Sequence, residues 1–168
     1  MDVDAALEKM AMDGGESVNA VAGRALRRLV EWDRLAEKAG LVLVSPLTLG
    51  RLMDSQTLEQ ARALGEVTAT DVWKPIILSH YGEVTISSVL ESIELISRYM
   101  GRFDFHYATE ESRRVVTIRH SKGAKWSAFY AGAGKTLFSS LGLNTEASET
   151  EELVSLEFEK PSSEEKGA

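Results

Sequence analysis

Apolar positions recur every three or four residues over the first hundred positions of this chain, and strict alternation replaces that rhythm only afterwards. The first pattern predicts helices and the second predicts strands. Residues 4–12 fit a short helix that Gly14-Gly15 ends. Ser17 is a natural N-cap for a second helix running to about Lys38, where Gly40 stops it. Within it Val18, Ala22, Ala25, Leu29, Trp32, Ala36 and Ala39 follow a 4-3-4-3-4-3 spacing, the seam of a heptad. Leu41 to Val44 reads as a brief edge strand, and Ser45-Pro46 as a cap with proline at the first helical position. Short helices are expected over 46–53 and 55–64, the latter ended by Gly65. Another is expected from a Thr70 cap to about Gly82, shortened or kinked at Pro75. Thr85 caps a stronger helix with Ile86, Val89, Leu90, Ile93, Ile96 and Tyr99 on one face, closed by Gly101.

Arg102 to Tyr107 and Arg114 to His120 then alternate across a short polar joint, which predicts a hairpin. Pairing Phe105 with Ile118 and Tyr107 with Val116 puts the aromatic and branched residues, with His120, on one face. The same register sets Asp104 opposite Arg119 on the other face, an opposite-charge pair. Ser121 is expected to cap a helix with Trp126, Phe129, Tyr130, Ala133, Leu137 and Leu141 inward and Gly142 as its stop. Leu143 to Ser148 and Glu152 to Glu159 suggest a second hairpin. The fold class is therefore α+β: an N-terminal helical hairpin and further helices, then an α-β-β-α-β-β antiparallel-sheet layer. The expected organisation is a helical hairpin over 1–40, short connecting helices over 41–84, a sheet domain over 85–160 and a polar, disordered tail over 161–168. No internal repeat is evident in the residues.

Composition adds limits. With 43% hydrophobic and 27% charged residues, a chain of 168 residues can bury a real core. It has no cysteine, which excludes disulfides and thiolate metal sites. No apolar run approaches the ~20 residues that span a bilayer, and the acidic start is unlike a signal peptide, so a cytoplasmic protein without membrane partners is expected. The net charge of −7 argues against a surface covered in phosphate contacts. The charge is uneven, however: Arg98 to Lys125 holds seven Lys/Arg and three Asp/Glu, or +4, against −11 for the remainder.

The order Leu7 to Ala11, then Gly14-Gly15-Glu16-Ser17-Val18-Asn19, then Arg24-Ala25-Leu26-Arg27-Arg28-Leu29 resembles the helical part of ribbon-helix-helix (Arc/MetJ/HicB-type) DNA-binding proteins. The family's N-terminal strand has no counterpart in it. The resemblance implies a homodimer and a phosphate held at the start of the second helix by Ser17, Val18 and Asn19. Arg24, Arg27 and Arg28 would then flank that contact or serve structure. Read from the seam, the dimer would meet through Val18, Ala22, Ala25, Leu29 and Trp32; an intrachain core stripe fits the same spacing.

Two further segments carry candidate chemistry. Ala131-Gly132-Ala133-Gly134-Lys135-Thr136 lacks the first glycine of a phosphate loop, where Phe129 stands, and is expected to be a helix packed closely on a sheet. The corner Arg119 to Trp126 gathers a strand end, a helix start, His120, Ser121, Lys122 and Lys125, a candidate anion site beside which a solvated basic corner is the plainer reading. His80, His106 and His120 are not spaced as metal ligands, and no triad or paired carboxylate is visible. The chain is thus expected to be non-enzymatic, without cofactor or metal. Its expected function is that of a transcription-regulator-like protein that binds DNA, with an interaction or small-ligand sensory module as the alternative.

Overall fold

The computed structural model describes residues 2–101, 103–110 and 113–159. The expected tail over 161–168 lies outside them. The chain divides into two compact units, Met1–Val42 and Leu43–Ala168. The expected connecting helices over 41–84 therefore belong to the same unit as the sheet.

In the first unit, helix α1 (Val3–Gly14) starts at Asp2, whose side chain accepts the Asp4 amide, and ends at Gly15 in the left-handed region. Helix α2 covers 18–38. Its first part, Val18–Arg28, is capped by Ser17 through the Ala20 amide, at 3.2 Å. A π-helical turn follows at Leu29–Asp33, and Arg34–Lys38 completes the helix. The extra residue in that turn brings Arg28 and Asp33, five apart, into an ion pair at 3.1 Å. It also breaks the expected heptad. Val18, Ala25 and Leu29 are exposed and Ala22 is half-buried, but Trp32 is buried within the chain.

The second unit begins in an irregular segment. Leu41 to Val44 is not a strand: no described strand pairs with it, and Leu43 is fully exposed. Helix α3 is Pro46–Asp54, with Ser45 as its cap. Helix α4 covers 58–81 as Leu58–Thr68, a π turn at Ala69–Trp73, and Lys74–Tyr81. The sequence reading breaks this helix at Gly65 and restarts it at Thr70, and neither happens. Gly65 is a packing residue, and the Thr70 hydroxyl sits mid-turn, donating to the Glu66 carbonyl. Proline at position 75 is tolerated because the preceding π turn widens the backbone where its ring would otherwise meet a carbonyl.

The two units repeat one design. Each has a short helix, a turn, a Ser or Thr cap, eleven helical residues and then a five-residue π turn. The sequence hid this repeat because few residue identities are shared.

Helix α5 (Ile86–Met100), capped by Thr85 and closed by Gly101, is as expected. Strands β1 (Asp104–Glu110) and β2 (Arg113–Arg119) pair in the expected register, with Phe105 on Ile118, Tyr107 on Val116 and Asp104 on Arg119. Helix α6 (Ala124–Ser139) starts at Gly123, not Ser121; Gly123 takes φ +84°, a left-handed turn that favours glycine and sets Ser121 outside the helix. Strands β3 (Thr145–Glu149) and β4 (Leu153–Glu159) complete one antiparallel sheet of order β1-β2-β4-β3. Val116, Ile118, Val154, Leu156 and Phe158 form its buried face. Helix α6 lies on that face and α4 packs on α6. At the α4–α6 crossing a β-carbon on Gly65 would overlap the Phe129 carbonyl, and one on Gly132 would lie 2.5 Å from the Arg62 carbonyl. Gly134 faces the sheet, directly over Leu156. The glycines of the Ala131–Thr136 segment thus let a helix touch neighbours on two sides.

Candidate functional site

Between these layers the second unit holds a cavity of about 340 Å³. Leu49 and Met53 reach it from α3, and Val89, Ser92, Ile93, Ile96 and Met100 from α5. Trp126, Phe129, Tyr130 and Leu137 of α6 form its floor, with Phe103 and Ile118 from the sheet side. Helix α4 contributes Leu64, Thr68, Trp73 and Ile77. Those four are spaced 4-5-4. In an unbroken α-helix the step of five would swing Trp73 and Ile77 off the wall; the π turn absorbs the extra residue and keeps both halves of α4 on it.

The wall is almost wholly apolar, and the hydroxyls of Thr68 and Ser92 face into their own helices. Thr68 donates to the Leu64 carbonyl at 2.7 Å and Ser92 to the Ser88 carbonyl at 2.7 Å. Burial raises the Tyr81 phenol above its ordinary range, opposed by its hydrogen bond to Ser92. The sequence marks several of these residues as core but does not reveal the cavity. The stripe Leu64, Thr68, Trp73, Ile77 was the available signal, hidden by its step of five.

At the N-terminal end of α6, behind the wall residues Trp126 and Tyr130, lies the basic corner. His120 is buried, its ring tilted against that of Tyr130 with their centroids 5.2 Å apart. The Lys122 amide donates to His120 Nδ1 at 3.3 Å, so Nδ1 is the unprotonated nitrogen of the neutral ring. Nε2 then carries the proton and donates to Ser127 Oγ at 3.1 Å. Burial first, and the Lys122 charge second, hold this imidazole below the ordinary histidine range, partly opposed by Glu152. Lys122 Nζ lies 5.9 Å over the Trp126 ring, and Lys125 donates to the Asp54 carbonyl at 2.6 Å, closing the end of α3. The structure gathers His120, Ser121, Lys122 and Lys125 at one corner, yet His120 faces inward and both lysines are engaged with the protein.

In the first unit, Ser17, Val18 and Asn19 form the start of α2. Glu16, just before them, is paired with Arg24 through both carboxylate oxygens. That hydrogen bond, with the charge of Arg24, holds the Glu16 carboxyl below its usual range. Among the described residues no group of three or more metal-ligating side chains occurs, and no helix is long and apolar enough to cross a membrane.

An α+β protein with an apolar chamber under its sheet is the class these features define. No protein-family model matches the chain, and no curated protein is significantly similar to it.

Proposed function

We propose that the second unit is a small-molecule sensory module, and that the chain is a non-enzymatic, transcription-regulator-like protein in which the N-terminal helices supply the output. The cavity carries this reading. A concave, largely preformed apolar chamber is the usual form of a small-molecule site, and this one lies at the lower end of the ~300–1,000 Å³ typical of such sites. The test uses 1-aminonaphthalene, a dye small enough for the chamber, whose emission shifts to the blue in apolar surroundings. Binding is expected in the wild type and at least tenfold weaker in Ile96→Trp, which fills the chamber from a half-buried wall position. Equal binding by a folded Ile96→Trp would place the dye elsewhere and overturn the reading.

DNA binding by the first unit is favoured by a separate observation: Ser17, Val18 and Asn19 are exposed at the start of α2, on the same helix as Arg24, Arg27 and Arg28, although Arg24 is paired with Glu16 and Arg28 with Asp33. Affinity for duplex DNA should then fall steeply with salt, as counterion release requires, and Ser17→Ala with Asn19→Ala should weaken it further. If no DNA is bound at low salt, the ribbon-helix-helix resemblance is architectural only.

A further inference from the structure

We infer that the cavity takes an uncharged, hydrocarbon-rich molecule of roughly ten to fifteen non-hydrogen atoms and excludes ligands with an ionised head. The inference rests on the reading of the cavity as a ligand site. Three features of the wall select this class.

The first is charge. Among the described residues, no Lys, Arg, His, Asp or Glu lines the chamber. An ionised carboxylate or ammonium drawn into it would lose its hydration without gaining a partner, a penalty of at least several kcal/mol per ion.

The second is hydrogen bonding. The hydroxyls of Thr68 and Ser92 are already donated to carbonyls of their own helices. The Tyr130 ring packs against Phe103, His120, Trp126 and Phe129. A ligand that needs several directed hydrogen bonds finds its candidate partners committed. The more exposed wall residues, Leu64 and Met100, are apolar too, so the lining does not turn polar where it opens.

The third is size and shape. A volume of about 340 Å³ corresponds to roughly eleven waters at their ~30 Å³ share of the liquid, which sets the ligand's scale. Five aromatic rings offer flat contact, and the unbranched thioethers of Met53 and Met100 adapt to irregular outlines. Rings and short alkyl chains both suit such a wall.

Matched ligands separate the possibilities: 1-decanol, decanoate and decylammonium share one chain and differ in head group. Titrations at pH 7.5, below the aggregation limit of each, are read by thermal shift. A brominated decanol gives a second readout by quenching tryptophan, since Trp73 and Trp126 line the cavity and Trp32 does not. Decanol should bind and quench, decanoate and decylammonium should bind at least tenfold more weakly, and Ile96→Trp should abolish the decanol response. Decanoate binding as tightly as decanol, and sensitive to Ile96→Trp, would overturn the ligand class while leaving the cavity as a site. Failure of all three ligands, or decanol binding indifferent to Ile96→Trp, would overturn the cavity reading itself, and this inference with it.

Discussion

His120 shows how far one side chain departs from its expected role when its hydrogen bonds are traced. As a sequence feature it marks a basic corner. In the fold it is a neutral ring, held by an amide on one nitrogen and a serine on the other. Its folded pKa lies below that of the unfolded chain, so the unfolded state binds the extra proton first. The stability it contributes is present above the unfolded value of ~6.5 and is lost as pH falls below it toward the folded value. Thermal melts from pH 7.5 to 5 should show a declining Tm, and His120→Gln should flatten that decline. An unchanged slope in the variant would assign the effect to other groups. The three packing glycines permit a second comparison. Gly65→Ala and Gly132→Ala push a β-carbon against backbone and should each cost about 1–3 kcal/mol in urea unfolding, as overpacking does. Gly134→Ala meets the end of the Leu156 side chain, which can turn, and a gain of up to ~1 kcal/mol in helix propensity offsets part of the strain. It should be the mildest of the three.

Helix boundaries and strand register differ in how plainly the sequence writes them. The β1–β2 register was legible because two independent matches, apolar face and opposite charge, agree only in one alignment. Helix α5 was legible because cap, stripe and glycine stop all coincide. Helix α4 was not, because Gly65, Thr70 and Pro75 each signal a break locally while tertiary packing uses them otherwise. The cavity was lost with it. A π turn behaves as one inserted residue, and that makes a sharp expectation. Deleting exposed Asp71 should regularise α4 and keep its stripe, yet return the Pro75 ring to a carbonyl at a cost of roughly 3 kcal/mol. The same deletion combined with Pro75→Ala should recover most of that loss by urea unfolding. No recovery would mean that the turn is required for more than register. In α2, which has no proline, deleting exposed Val30 should be tolerated alone.

For the whole molecule, the repeated hairpin frames the question of assembly. In the second unit the face of α4 is seated on α6. The corresponding stretch of α2 leaves Val18, Ala25 and Leu29 exposed, the residues of the proposed dimer seam. Trp32 leaves that seam, because it is buried within the chain. Leu29 is 47% exposed, so Leu29→Glu should not unfold a single chain, but it would place a charge inside a dimer. Light scattering should find a dimer for the wild type and a folded monomer for the variant. A monomeric wild type at micromolar concentration would remove the dimer from the account.

The contact of bare backbone at Gly65 and Gly132 has a mechanical consequence. With no side chain between them, α4 and α6 cannot slide without breaking a close fit, and Gly134 seats α6 on the Leu156 side chain of the sheet. Three walls of the chamber therefore move as one block. Helix α5 has its close backbone contacts chiefly with the end of α4 and strand β1, outside that block, and is the wall expected to yield first. Amide hydrogen exchange should be slowest where α4 crosses α6 and measurably faster along α5, with the difference narrowing when the chamber is filled.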